Sequence, residues 1–256
     1  MFVHTLKNVW IAVTLVGLIG AGSAHAGDGV IEINMAAANA GGITAGDAPG
    51  LPVTLSEEGS YRLTGNLSTG NANTHVIQVT ESFVTIDLNG FVISGPGIAG
   101  SGNGVYATSS IRNVTVKNGM VRDMGSGGVR LAGASSTVEH VNVRLNEDNG
   151  IQLGSYGTVR NCTAWYNGDT GISISTGGRV MASSSIQNGF NNASASGIFV
   201  SNGGSAIDNV SQRNAGEGIV SGRGATILGN AAYENGEDGI RAGEGSLLKN
   251  NTARDN

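Results

Sequence analysis

The sequence repeats itself, and that limits its possible folds more than any other feature. A glycine followed by Val or Ile recurs at Gly104, Gly128, Gly150, Gly171, Gly197, Gly218 and Gly239, with its longest step between Gly171 and Gly197. Asparagine keeps the same register. Asn167 stands as far beyond Gly150 as Asn188 beyond Gly171, Asn214 beyond Gly197, Asn235 beyond Gly218 and Asn256 beyond Gly239; Asn146 stands one position further from Gly128. A fixed period of this size is the signature of a chain built from stacked equivalent units.

The unit is made of strands. Val129 and Leu131 alternate with Arg130, and Ile151 and Leu153 with Gln152, the period of a strand with one buried face. No window carries a helical apolar stripe, and glycine at 43 of 256 residues, against roughly 7% in ordinary proteins, is unfavourable inside helices. Helical repeats are excluded on that ground, and leucine-rich repeats by the lack of leucines at fixed offsets. Three short strands closing on themselves after about 21 residues make one coil of a right-handed parallel β-helix. The expected fold is all-β, a solenoid of about eight coils.

Stacking sorts residues into columns. The position after each glycine reads Val105, Val129, Ile151, Ile172, Ile198, Ile219 and Ile240, which is uniformly β-branched and so faces the core. Eight before the marker asparagine stand Val138, Val159, Val180, Ala206, Ile227 and Leu248. Three before it stand Val143, Ala164, Ser185, Ser211, Ala232 and Ala253, whose small size suits a tight corner. Five before it stand Val141, Cys162, Ser183, Asn209, Asn230 and Asn251, where asparagine amides can bond from coil to coil and Cys162 reads as a buried structural residue. Val84–Leu88 repeats as Val114–Asn118 in an earlier, longer coil.

The ends differ from the repeat. Lys7, the apolar run Val9–Ile19 and Ala24-His25-Ala26 make residues 1–26 a secretory signal peptide, because the run is shorter than the ~18–20 residues of a spanning helix. Cleavage takes the net charge from −5 to −6 and leaves no further candidate membrane span, which places the protein in the periplasm or outside the cell. Residues 27–74 break the period, with room for one short helix at Ala36-Ala37-Ala38, and read as an N-terminal cap; residues 75–256 hold the repeats. The chain stops on a marker asparagine with Ile240, Leu247 and Leu248 in its last coil. The expectation is an uncovered end that frays and associates with another copy.

The repeats ending in Asn-x-x-x-Gly-Ile resemble the right-handed parallel β-helix proteins of the pectate-lyase-like superfamily, and within it a group of secreted bacterial repeat proteins. Gly46–Leu55, Gly59–Leu63 and Val84–Phe91 carry the same likeness. The resemblance spans the mature chain and implies the fold. It says little of activity, because the superfamily includes lyases, hydrolases, epimerases and adhesins. The paired aspartates with Gly-His-Gly and Arg-x-Lys, the Arg-x-Pro-x-x-Arg and the Asp-Pro-His-Asp of its enzymes are absent from the sequence.

No catalytic residue is assigned. After signal cleavage the only histidines are His75 and His140, without partners nearby in sequence. A single cysteine excludes a disulfide framework, and the acidic balance argues against nucleic acid. Glu147, Asp148, Asp169, Glu217, Glu237 and Asp238 collect in the turns before the glycines. The insertion between Asn188 and Ser196 breaks their column, so they read as solvated turns rather than a calcium site, and no cofactor or metal is called for. The outward column two before the marker is the candidate site. It reads Arg144, Trp165, Ile186, Gln212, Tyr233 and Arg254, with Tyr166 and Arg213 beside it. Aromatic faces stack on sugar rings and arginines fork onto carboxylates, so Arg144, Trp165, Tyr166, Tyr233 and Arg254 are expected to bind an acidic polysaccharide. The alternatives are a polysaccharide lyase or epimerase, and a structural or adhesive surface protein.

Overall fold

The structure, a computed structural model, describes residues 29–256, so residues 1–26, expected from the sequence to be a signal peptide, lie outside the described residues. It is a right-handed parallel β-helix with three faces. The first face is a nine-stranded parallel sheet running from Val53–Leu55 to Ile240–Arg241, one strand per coil. The coil count is therefore nine, close to the expected eight. The additional coil comes from Val53–Leu55, which lies within residues 27–74 and pairs in register with Ile77–Val79.

The second and third faces form one 17-stranded sheet. In most coils each face contributes a three-residue strand, as in Thr158–Arg160 and Thr163–Trp165. In two coils they fuse into single eight-residue strands, Thr115–Arg122 and Thr137–Arg144, with the corner taken by Asn118 (φ 60°) and His140 (φ 54°). That left-handed corner recurs at Asn161, Ala182, Asp208, Gly229 and Asn250. A second left-handed corner leaves the third face at Leu145, Tyr166, Gln187, Arg213, Glu234 and Asp255, directly before each marker asparagine. A third leaves the first face at Ser135, Tyr156, Gly177, Gly203, Gly224 and Gly245, and three such bends per coil close it within a single repeat.

The core columns follow the sequence. Val105, Val129, Ile151, Ile172, Ile198 and Ile219 stand in direct register and are buried; Ile240, at the last coil, is only partly so. Each buried Val or Ile contributes about 1.5–3 kcal/mol. The small residues three before the marker are not at a corner. They face inward from the third-face strands against the glycines of the first face. A Cβ on Gly171 would lie 2.1 Å from Ser185 Oγ, and one on Gly150 3.1 Å from Val143 Cγ2. The glycine recurs because there is no space there for a side chain.

The marker asparagines form a ladder. Each Oδ1 accepts the backbone N–H and the side-chain amide of the asparagine one coil earlier, from Asn146 through Asn167, Asn188, Asn214 and Asn235 to Asn256. A second ladder runs through Cys162, Ser183, Asn209, Asn230 and Asn251. Bends that sheet bonding cannot serve are satisfied this way, as buried polar groups must be.

Before the regular coils, Asn34 caps a short helix, Met35–Ala40, its side chain accepting from Ala37 N. Val30–Ile33 already pairs with the second-face strand Gly59–Leu63, so the stack begins inside residues 27–74. At the other end Leu247 and Leu248 are 56% and 49% exposed. No described helix is long and apolar enough to cross a membrane.

Candidate functional site on the third face

Backbone pairing puts the candidate column in strict register: Arg144 beside Trp165, then Ile186, Gln212, Tyr233 and Arg254. Neighbouring members are one coil apart, roughly 4.8 Å. The strip extends one coil further than the asparagine register indicates, because Arg122 pairs with Arg144. In that coil Met124 occupies the marker position, its N–H bonded to Asn146 Oδ1 like the asparagines that follow.

The two halves of the strip differ. In the later half the polar groups are occupied. The Tyr233 hydroxyl donates to Gln212 Oε1 at 2.7 Å, and Arg254 pairs with Asp255. Next to the strip Arg213 pairs with Glu234, holding that carboxyl below its ordinary value.

The earlier half is left open. Arg122 pairs with its neighbour Asp123, but Arg144 has no acidic partner among the described residues. Its guanidinium carbon sits 6.0 Å from the Trp165 ring centroid, and its Nε is buried without a hydrogen-bond partner. Two residues along the same strand, Asn142 Oδ1 is also buried and unpartnered. Such groups cost free energy until something supplies the missing bond. Trp165 is half-buried and held by its Nε1–H, which donates to Gln187 Oε1 at 2.9 Å. Tyr166, on the left-handed corner, lies 6.0 Å from Trp165 and stacks on Phe190 at 5.1 Å. Arg144, Trp165 and Tyr166 thus form one cluster, with Tyr233 and Arg254 three and four coils from Trp165.

The other sequence candidates have structural explanations. His75 stacks on Tyr106 at 4.2 Å, and its Nδ1 accepts the Asn103 N–H at 3.0 Å, leaving no lone pair in the neutral ring to take a proton. Burial, assisted by the Arg130 charge, lowers its pKa. His140 Nε2 contacts Asn161 Nδ2 at the exposed corner.

The turn acids are not uniformly solvated. Glu217 is buried, paired with Arg241 of the next coil and contacted by Ser196 Oγ. It is therefore structural, and not a neutral surface position. No group of three or more His, Cys, Asp or Glu side chains is arranged for a metal among the described residues.

Burial pushes the Cys162 thiol up to about 11. At neutral pH the native protein should accordingly resist maleimide and react fully once denatured; rapid native labelling would contradict the buried assignment.

No curated protein matches the chain in sequence. Among solved structures, the mannuronan C-5 epimerase AlgE4 A-module of Azotobacter vinelandii is similar, with a TM-score of 0.56 and 14% identity over 89% of this chain and 85% of that one. Pectate lyase Pel9A aligns with a TM-score of 0.42 and 14% identity over 78% of this chain and 67% of that one. The family model for the right-handed β-helix region matches residues 68–215, more than half of the chain. With the coil architecture established independently from its strand pairing, the chain belongs to the right-handed β-helix family.

Proposed function

We propose that the third face binds an acidic polysaccharide, with the Arg144–Trp165 pair as its centre. The supporting observation is Arg144 itself. It is an arginine without an acidic partner, with an unpartnered buried Nε, held beside an indole. A sugar carboxylate pairs with the terminal nitrogens of that guanidinium, the buried Nε being out of a polymer's reach, and a sugar ring packs on the half-buried indole. Tyr233 and Arg254 extend the same column and supply weaker contacts further along a polymer. The similarity to the epimerase module is one of fold, and the proposed activity here is binding, in the periplasm or outside the cell.

The test is calorimetric titration with acidic polysaccharides, with and without calcium. Arg144→Ala and Trp165→Ala should each weaken binding by about 1 kcal/mol or more, a loss of several-fold in affinity. Tyr233→Ala should lose less, because its hydroxyl is already engaged by Gln212. Unchanged affinity in the Arg144/Trp165 double variant would remove this site. Steady release of unsaturated sugar ends during the titration would replace the binding reading with a lyase.

A further inference from the structure

The coil from Gly171 to Gly197 is longer than those on either side of it, and the surplus lies between Asn188 and Ser196. The insertion folds back over two earlier turns rather than standing out into solvent. Asn191 N–H donates to Gly168 O at 2.9 Å, and its side-chain amide donates to Glu147 O at 3.0 Å and Glu147 Oε2 at 3.1 Å. The Asn192 amide donates to Asp169 Oδ1 at 2.9 Å. These bonds hold Phe190 against Tyr166, with their rings 22° from parallel and each residue 41% exposed. Phe83 and Tyr156, also at positive φ, are more exposed still, so Tyr166 and Phe190 stand out for being stacked together beside the strip rather than for exposure alone.

The resulting aromatic cluster continues from Trp165, with Tyr166 tilted 48° to the indole and Phe190 stacked on Tyr166. Centroid steps of 6.0 Å and 5.1 Å lead from Trp165 to Tyr166 to Phe190. Its electrostatics change along that line. The Trp165 end has Arg144 over its ring. At the Phe190 end, the charged side chains bonded to the insertion are Glu147 and Asp169, both acidic. A carboxylate is attracted at the first position and repelled at the second.

We infer that the site selects a mixed polymer, in which an acidic sugar on Arg144 and Trp165 is followed by an uncharged sugar on Tyr166 and Phe190. This rests on the polysaccharide reading above and adds a selectivity that an unbroken polyuronate cannot meet. The insertion is the specificity element, and Phe190 its contact residue.

The full chain is titrated with two oligosaccharides of equal length: one from hyaluronan, where uronate alternates with N-acetylhexosamine, and one of galacturonate alone. The hyaluronan fragment should bind about tenfold more tightly. Phe190→Ala should remove that preference by weakening hyaluronan alone, Phe190→Trp should retain it, and Glu147→Gln with Asp169→Asn should strengthen galacturonate. Matching circular dichroism and melting curves confirm that Phe190→Ala is folded. Equal binding of the two ligands, or a preference unaffected by Phe190→Ala, overturns the inference and leaves the polysaccharide reading intact. Binding of neither overturns both.

Discussion

Replacing Asn188 by alanine should destabilise the protein by about 3–5 kcal/mol, among the largest effects of any single substitution. Its Oδ1 accepts the backbone N–H of Asn167 at 3.0 Å and the Asn167 amide at 2.8 Å. Its own amide reaches Ala164 O at 3.1 Å, Ser185 Oγ at 3.0 Å and Asn214 Oδ1 at 2.9 Å. All of these groups are buried. Alanine removes the acceptor of the Asn167 backbone N–H and leaves the Asn167 amide only Val143 O, at 3.4 Å, whereas Ser185 Oγ keeps Gly197 O and Asn214 Oδ1 keeps the backbone N–H of residue 188. The cost exceeds the net worth of the bonds because the orphaned groups have no water to turn to. Urea unfolding measures it. A loss below about 1 kcal/mol with an unchanged slope would mean that water serves the corner and the ladder is ornamental.

Gly171→Ala should cost about 3 kcal/mol or more, for a steric reason rather than a conformational one. The added Cβ would stand 2.1 Å from Ser185 Oγ, 2.6 Å from Asn188 Nδ2 and 2.8 Å from Gly197 O. One new methyl therefore strikes the ladder, the small inward residue and the next coil together. Gly203 is the contrast. It has a positive φ of 64° and open space around it, so alanine there should cost only the left-handed penalty of roughly 1–2 kcal/mol. Adding Ser185→Ala to Gly171→Ala removes the closest clash and should recover part of the loss. The reverse order of cost at the two glycines, or no recovery, would contradict this account of the repeat.

The parts legible in the sequence are those that stacking forces to repeat. Val105 to Ile240 and Val138 to Leu248 occupy equivalent positions in successive regular coils, so simple spacing finds most of the core and also the outward column from Arg144 to Arg254. The column of small residues is visible in the sequence, but its cause is not. Ser185 is small because it faces Gly171, with its hydroxyl donating to Gly197 O at 2.6 Å, and those contacts join different faces. Features that interrupt the period escape such spacing. Arg122 belongs to the strip, but its coil carries Met124 at the marker position. Phe190 lies in the insertion, which has no equivalent elsewhere. Glu217 reads in sequence as another turn acid, and only Arg241, one coil later, shows it to be paired. His75 similarly finds its partner in the following coil, at Asn103. The proposed site draws on such departures from the repeat as much as on the repeat.

Hydrogen exchange on the full chain, with and without a bound acidic polysaccharide, tests the central claim most directly. Ligand should slow exchange in the third-face strand ends and corners around residues 142–146, 163–167 and 189–192. It should leave the first-face strands Val105–Ala107, Val129–Leu131 and Ile151–Leu153 unchanged. Protection centred on those first-face strands, or none at any acidic polymer concentration, would contradict the assignment of binding to Arg144 and Trp165.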